Sequence, residues 1–356
     1  SHFSSNSIDG SGMSLDLSSG TFAEVSTGGT EDTFDGGSNF SVSMWVKGWP
    51  SSADQSLVSK NKFDPKKMGN LKNWLDASSS EYLITEEGNA PLNAEPIEKW
   101  YDLSGNNHHA LIRTGSPKWE SAAFNSKPSV RLDNGVLKLA DSNASFDGWE
   151  DLTICTALYQ YAWNHSTIIF GKSDWGGGNA GDSDGYAWVL NMHRSENPGG
   201  HRIWGPAINT SNGRSYSSGS NGEIWAHGTH TGGPSVLTFR YSSSGTTPNL
   251  VLRVNGSDYK TANRTGALVS KPSYDVTIGG HHSRNHVYGN WKGYVSEFLI
   301  FNEDISTTNR DKLEGYLAHK WSTSAKLPSD HTYKTSAPSF GGWSVARASS
   351  GNDTIA

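Results

Sequence analysis

The chain has 356 residues, a net charge of −6 and only 18% charged residues, with lysine and arginine scattered along it. This length is typical of two domains, and the scattered basic residues argue against nucleic acid as a partner. The sequence has no apolar run of about 18 residues, so no membrane-spanning helix is predicted. The single cysteine, Cys155, excludes an intrachain disulfide and is predicted to be a small core residue.

The first predicted elements are alternating strands in residues 15–60, on either side of a Phe-Asp-Gly sequence at Phe34–Gly36. Residues 132–172 repeat this order, with Phe-Asp-Gly at Phe146–Gly148. Each segment continues with an alternating strand, a polar loop, a short apolar strand and a lysine. A repeated order of this kind predicts two copies of one fold.

The second copy continues into a strand that contains Trp188, whereas the first copy has no such continuation after Lys60. The missing counterpart lies at the end of the chain, in residues 341–356, where Trp343 takes the place of Trp188. We therefore expect one domain to be inserted into a loop of another, and the split domain to belong to a longer protein; the alternative is an unrelated carboxy-terminal hairpin. The predicted bounds are 1–63 with 338–356 for the split domain and 64–337 for the inserted domain.

The inserted segment reads as many short alternating strands separated by turn residues, including Asn255-Gly256, which predicts a type I′ hairpin turn. One helix is predicted over residues 305–321, capped by Ser306 or Thr307. The pattern predicts an all-β fold of antiparallel two-sheet jelly-roll sandwiches with one short helix near the carboxy terminus of the inserted domain.

A glycine-rich loop at residues 172–188 carries three aspartates, Asp174, Asp182 and Asp184, whose oxygens suit calcium. Two aromatic residues of this segment, Trp175 and Tyr186, are candidates to contact a sugar. The alternative is a solvated connection whose acids cap turns.

A second loop, residues 279–291, concentrates polar and aromatic side chains between two predicted strands. Hydroxyl-rich ligands need hydrogen-bonding groups beside an aromatic surface. Zinc bound by the histidines and a plain surface loop are the alternatives. The candidate ligand-binding residues are His281, His282, Arg284, Tyr288 and Trp291.

The sequence DLSGNNHHA, residues 102–110, offers Asp102 and Asn106 as further metal ligands. The same side chains are suited to satisfying backbone donors in a tight turn.

Catalysis is not predicted. Polysaccharide-cleaving sandwiches need paired carboxylates, or a Tyr or His base with an Arg, on one face. The strand carboxylates Glu223 and Glu297 stand alone in the sequence, and no nucleophile elbow or phosphate-binding loop occurs.

Several motifs together resemble the laminin-G-like, concanavalin A-like jelly-roll family of bacterial surface and secreted proteins. They are LKNWLDAS (71–78), WYDLSGNNHHA (100–110), KPSVRLD (127–133), GYVSEFLIFN (293–302) and LEGYLAHKW (313–321). The resemblance implies glycan binding or adhesion, often with calcium. It predicts a non-catalytic, lectin-like, calcium-assisted module of an extracellular or cell-surface protein, with a glycan or cell-surface polysaccharide as partner.

Two further functions are compatible with the residues. An incomplete sandwich exposes strand edges, so a structural module that assembles with another protein chain is the first alternative. Tyrosine, histidine and arginine are plentiful, which leaves a polysaccharide lyase or hydrolase as the second.

Overall fold

A computed structural model describes residues 58–162, 167–173, 185–194, 202–215, 233–244, 248–281 and 290–345, and three short strands nearer the amino terminus. The strands in chain order are β1 (Phe3–Ser4), β2 (Ser14–Leu15), β3 (Ala23–Val25), β4 (Val58–Lys62), β5 (Leu71–Asp76), β6 (Leu83–Ile84), β7 (Glu95–Pro96), β8 (Lys99–Trp100), β9 (Ala110–Thr114), β10 (Lys118–Phe124), β11 (Lys127–Asp133), β12 (Val136–Leu139), β13 (Asp151–Gln160), β14 (Thr167–Ser173), β15 (Tyr186–Arg194), β16 (Arg202–Thr210), β17 (Gly213–Ser215), β18 (Ser235–Ser242), β19 (Leu250–Val254), β20 (Ser257–Ala262), β21 (Val276–Ile278), β22 (Lys292–Phe301) and β23 (Ser339–Val345). The α-helices are α1 (Ser142–Ser145) and α2 (Thr307–Lys320), and 3₁₀ turns occupy Pro65–Met68, Ser80–Tyr82 and Ser324–Lys326.

The chain divides into two compact units, one of residues 1–64 with 338–356 and one of residues 65–337. This division falls within a residue of the bounds predicted from the repeat. In the split unit, β23 lies between β3 and β4, and Trp343 pairs with Lys60. In the continuous unit, Trp188 pairs with Lys172 in the same way. The two pairings follow the sequence repeat.

The continuous unit contains two antiparallel sheets. The order of the first, which we call the helix-side sheet, is β20-β19-β18-β13-β22-β11-β10-β7, with β5 also paired to β22. The order of the second, which we call the opposite sheet, is β17-β16-β15-β14-β21-β12-β9-β8-β6. The predicted all-β, antiparallel two-sheet fold is confirmed, because adjacent strands in both sheets pair antiparallel.

The core lies between these sheets. Phe170 of the opposite sheet contacts Phe298 and Phe239 of the helix-side sheet edge to face, with ring centroids 5.2 and 6.4 Å apart. All three rings are buried. Burying each such side chain contributes about 1.5–3 kcal/mol, so contacts of this kind supply most of the cohesion between the sheets.

Helix α2 packs on the outer side of the helix-side sheet, against β13 and β18. It begins where predicted, and Ser306 caps it by accepting a hydrogen bond from the backbone amide of Asn309. Leu313 and Leu317, which lie four residues apart and therefore on one face of the helix, are fully buried. The helix therefore completes the unit by covering one end of the sheet.

The predicted hairpin turn is also confirmed. Asn255 and Gly256 join β19 to β20 and have φ angles of 50° and 82°, as the two central residues of a type I′ turn require. The predicted core position of Cys155 is confirmed too, since its side chain is buried on β13.

Candidate functional site

The acidic turn at residues 102–110 is built around the carboxylate of Asp102. One oxygen accepts the backbone amides of Trp74 and Ser104, both at 2.9 Å. The other accepts the amide of His108 at 2.9 Å and the hydroxyl of Ser104 at 2.8 Å. The Asn106 amide nitrogen donates to the carbonyls of residues 71 and 72. Of the two functions predicted for Asp102 and Asn106, the turn-stabilising one accounts for these contacts.

Most residues of the two predicted ligand loops lie outside the described part of the chain. The candidate site residues that lie outside it are the metal ligands Asp174, Asp182 and Asp184 and the glycan contacts Trp175, His282, Arg284 and Tyr288. These assignments stay predictions.

Three candidate ligand residues are described, and all three are buried. Tyr186 and His281 are 2% exposed and Trp291 is 1% exposed. Trp291 belongs to the main apolar core, and its ring fills the space beside Gly293, where any larger residue would collide with it. Sugar stacking needs an exposed ring face, and these side chains offer none in the described structure. Burial of this kind favours packing, and the assignment of these three residues as ligand contacts stays a prediction.

A cluster of tyrosines and charged residues lies on the solvent-facing side of the helix-side sheet, which sequence reasoning did not find. Arg131 of β11 is directly opposite Tyr294 of β22, and Tyr294 is directly opposite Tyr159 of β13. Lys118 of β10 extends this row on the other side of Arg131. Cross-strand partners share a face of the sheet, and adjacent strands are about 4.8 Å apart. The row therefore crosses four neighbouring strands.

Three more residues lie two positions along these strands and so share the same face. Tyr161 directly follows β13, and its contacts with Tyr294 and Arg131 place it on this face as well. Together with the row, these four residues form what we call the tyrosine–arginine surface. All eight are half-buried or exposed. Its members are Lys118, Glu120, Arg131, Asp133, Tyr159, Tyr161, Lys292 and Tyr294.

The aromatic rings of this surface contact one another. The rings of Tyr159 and Tyr294 are stacked at 5.9 Å with an interplanar angle of 15°, and Tyr161 lies 5.0 Å from Tyr294. The Arg131 guanidinium lies over the Tyr161 ring at 5.1 Å and its Nε donates to the Tyr161 hydroxyl at 3.2 Å. These contacts hold the rings in one arrangement on the sheet.

Four of the five charged side chains of the surface, all but Lys118, are paired within it. Arg131 contacts Glu120 at 3.3 Å and Asp133 at 3.1 Å, and Lys292 contacts Asp133 at 3.6 Å. The Tyr294 hydroxyl donates to Glu120 at 3.2 Å. Burial and the Glu120 carboxylate raise the pKa of Tyr294 to about 12, so its hydroxyl stays protonated near neutral pH.

The signal for this surface was present only in part in the sequence. Tyr159 and Tyr161 are two residues apart in an alternating strand, which places them on one face. The strands β10 and β11 form a hairpin, but β13 and β22 are far from each other and β22 is far from this hairpin in the chain, and no local pattern specifies that they are neighbours.

A second polar cluster is buried beneath α2, and it corrects the sequence-based view of Glu297. This carboxylate does not stand alone, because Asp76 of β5 is its cross-strand partner. The Lys320 ammonium lies between them, 2.6 Å from Asp76 and 2.8 Å from Glu297. We call these three residues the buried triad.

Donors surround the Glu297 carboxylate. One oxygen accepts the Trp74 indole N–H and the Tyr316 hydroxyl, both at 2.8 Å. The other accepts the Trp321 indole N–H at 2.7 Å as well as Lys320. Burial raises the pKa of Glu297, and Lys320 opposes that effect. The pKa of Lys320 is raised as well, because its two carboxylate partners outweigh its own desolvation.

Within the described residues, one further group has the geometry to hold a metal ion: Asp311, Glu314 and His331. Arg253 already contacts both oxygens of Glu314, at 2.8 and 3.2 Å. Although burial disfavours its ionised form, hydrogen bonds from His331 and Arg253 hold the pKa of Glu314 below its ordinary value. The arginine thus supplies the positive charge that a metal would bring.

Comparison with protein-family models gave no match, and comparison with curated proteins gave none either. Membership of the laminin-G-like family therefore stays a prediction. Among the part of the chain that is described, no helix is long and apolar enough to cross a membrane.

Solved structures with similar folds include sugar-binding and glycosidase-associated proteins. Domain 4 of AbnA, an extracellular GH43 arabinanase from Geobacillus stearothermophilus in complex with arabinotriose, is 11% identical with a TM-score of 0.42, over 72% of this chain and all of that domain. A mutant sialidase of Trypanosoma rangeli is 11% identical with a TM-score of 0.42, over 71% of this chain and 34% of the sialidase. A third structure is of botulinum neurotoxin type C, a toxin whose cell entry depends on interaction with two ganglioside molecules. It is 13% identical with a TM-score of 0.37, over 64% of this chain and 51% of the toxin chain.

Proposed function

We propose that this protein is a non-catalytic carbohydrate-binding module of a larger extracellular or cell-surface protein, and that the tyrosine–arginine surface holds the glycan. The observation that carries the proposal is the row of Arg131, Tyr294 and Tyr159 on adjacent strands of one exposed face. Tyrosines offer an apolar ring for the CH-rich face of a sugar and a hydroxyl for its polar edge. A rigid sheet holds these groups in fixed positions.

The charge pattern favours a neutral glycan. Because Glu120 and Asp133 already pair with Arg131 and Lys292, a charged ligand that binds any of these four side chains would have to displace a partner from within the surface, which leaves Lys118 as the one charged group of this described surface that it could meet directly. Hydroxyl groups can instead bind at the edges of these ion pairs without breaking them. We therefore expect neutral oligosaccharides to bind more tightly than sulfated or uronic-acid chains.

The buried triad supports a binding role over polysaccharide cleavage. The Asp76 and Glu297 carboxylates are close together, as a glycosidase would need, yet both contact Lys320 and are buried. A carboxylate pair that cleaves a glycosidic bond must reach the sugar from an open face. The triad instead ties α2 to the sheet.

Calcium assistance belongs to the same proposal. Its ligands would be Asp174, Asp182 and Asp184, since the described turn of Asp102 and Asn106 uses its polar atoms within the protein. Oxygen-rich loops of this composition suit calcium.

The experiment is a glycan-array screen of the full chain in calcium and in chelator, with neutral and anionic oligosaccharides side by side. The proposal predicts hits among neutral glycans. Loss of those hits in chelator would support the calcium component, and hits that persist in chelator would remove it. A folded protein that binds no glycan would contradict the carbohydrate-binding function and favour an assembly module.

A further inference from the structure

The buried triad brings an amine and two carboxyl groups into contact inside the protein. Lys320 Nζ lies 2.6 Å from Asp76 Oδ2 and 2.8 Å from Glu297 Oε2. The Asp76 and Glu297 side chains are 6% and 0% exposed and that of Lys320 is 21% exposed, and the surroundings include the rings of Trp74, Tyr316 and Trp321. An ordinary ion pair needs one carboxylate, and here a second one touches the same amine.

We propose that the triad is the site of a self-catalysed isopeptide bond between Lys320 and Asp76, with Glu297 carrying the protons. The nucleophile, the acceptor and the proton carrier already touch one another, which is the arrangement that makes an intramolecular reaction fast.

The reaction balances without any co-reactant. The Lys320 ammonium passes a proton to Glu297 Oε2, and the free amine attacks Asp76 Cγ to form the N–C bond. The amine then gives up a second proton, and the Cγ–Oδ2 bond breaks. Both protons reach Oδ2, which leaves as water, so an ammonium and a carboxylate become one neutral amide and one water molecule. Glu297 ends the reaction ionised, as it began.

The surroundings supply the other requirements. Asp76 Oδ1 accepts the backbone amide of Ser78 at 2.9 Å, a donor placed to stabilise the oxyanion that forms during attack. Burial raises the pKa of Glu297, which favours its taking a proton, whereas the two carboxylates raise the pKa of Lys320 and oppose its release; contact between donor and acceptor is what allows the transfer. Desolvated ions are costly, so converting the Lys320–Asp76 pair into a neutral amide removes charge from a buried site.

The bond would connect the first long strand of the continuous unit to its last helix. Asp76 lies at the end of β5 and Lys320 at the end of α2. A covalent link there closes nearly the whole unit into one loop. The loop lowers the conformational entropy of the unfolded chain, and the link resists mechanical separation of β5 from α2. Resistance of this kind suits a module exposed to mechanical load.

The decisive experiment is the intact mass of the unmodified full chain after denaturation. The proposal predicts a mass one water molecule below that of the sequence. A cyclised Asp-Gly step loses the same mass, and Asp147-Gly148 is one such step. Tryptic mapping separates the two: the bond predicts a branched peptide joining 73–99 to 313–326, because trypsin cannot cut at a modified Lys320.

Two variants complete the test. Glu297→Gln and Lys320→Arg are both predicted to show the full sequence mass, and Lys320→Arg keeps the positive charge beside Asp76. Cooperatively folded wild-type protein that shows the full sequence mass would overturn the proposal. A mass loss located at an Asp-Gly step, or a branch from Lys320 to peptide 293–310, which contains Glu297, would overturn it equally.

Discussion

The Lys172 side chain shows how a single residue can act as an internal cation. It is fully buried, and its ammonium donates to the carbonyls of Asn143 and Tyr274, both at 2.7 Å. Asp147 of the repeated Phe-Asp-Gly sequence lies 3.7 Å away. The order of aspartate and lysine that the two sequence repeats share thus corresponds, in the continuous unit, to an ion pair beside the core.

Lys172 should make stability depend on pH in an unusual direction. Burial lowers its pKa from 10.5 to about 8, with Asp147 opposing the shift. The cost of keeping the ammonium buried is complete below pH 8 and disappears as pH rises towards 10.5, because the unfolded chain binds more protons in that range. The free energy of unfolding of wild type relative to Lys172→Met should therefore increase between pH 7.5 and pH 9.5. Urea unfolding of both proteins across this pH range measures the difference, and a difference that does not change with pH would contradict the lowered pKa of Lys172.

At the scale of single elements, the packing of α2 contributes more to stability than its amino-terminal cap does. Replacing Leu317, which is fully buried, by alanine should cost about 2–5 kcal/mol through lost contacts and a cavity. Replacing the capping residue Ser306 by alanine should cost about 1 kcal/mol. Urea denaturation of the two variants measures both free energies of unfolding, and a larger decrease for Ser306→Ala than for Leu317→Ala would contradict this prediction.

Gly256 in the β19–β20 turn can be compared with Gly88, a glycine of the same backbone conformation in the connection between β6 and β7. Gly256 and Gly88 both have a φ of +82°, which a side chain disfavours by about 1 kcal/mol. A methyl group at Gly88 meets nothing within 4 Å, whereas at Gly256 it would lie 3.0–3.2 Å from His331, Pro328 and Leu327. Gly256→Ala should therefore lower the thermal midpoint more than Gly88→Ala. Equal thermal midpoints for the two variants would contradict this prediction, because they would mean that the side chains around Gly256 move aside with no loss of stability.

At the scale of the whole molecule, we expect the continuous unit to fold independently of the split unit. Lys62 and Ser339, which flank it, pair across β4 and β23, so the chain leaves the split unit and returns to it at neighbouring positions. We expect residues 65–337 alone to unfold in one cooperative transition. Calorimetry tests this, and a fragment without a transition would mean that the split unit is needed for its fold.

The sequence predicts this architecture better than it predicts the site. The repeat indicates the position of the division, and the spacing of Leu313 and Leu317 predicts α2, because both signals are local or repeated. The strand β5 was missed because its sequence, LKNWLD, mixes polar and apolar residues without simple alternation. Two of its polar side chains, Asn73 and Asp76, are buried and contact His108 and Lys320 on other elements.

The candidate site depends on contacts that local patterns do not contain. Trp291 looks like a ligand contact because it follows a polar loop, yet it lies in the core. Tyr294, three residues later, looks like an ordinary strand residue and lies on the exposed surface. The partners of Glu297 come from β5 and α2, so its pairing with Asp76 depends on the tertiary fold.

We propose that the tyrosine–arginine surface binds a neutral glycan, and this binding can be measured directly. The most direct test is a calorimetric titration of the strongest neutral array hit into wild type, the double variant Tyr159→Ala/Tyr294→Ala, and Tyr101→Ala as a half-buried tyrosine beside the opposite sheet. Each lost aromatic contact is worth about 0.5–1.5 kcal/mol, so the account predicts at least a several-fold weaker affinity for the double variant and no change for Tyr101→Ala. Wild-type affinity in a folded double variant would contradict the assignment of this surface.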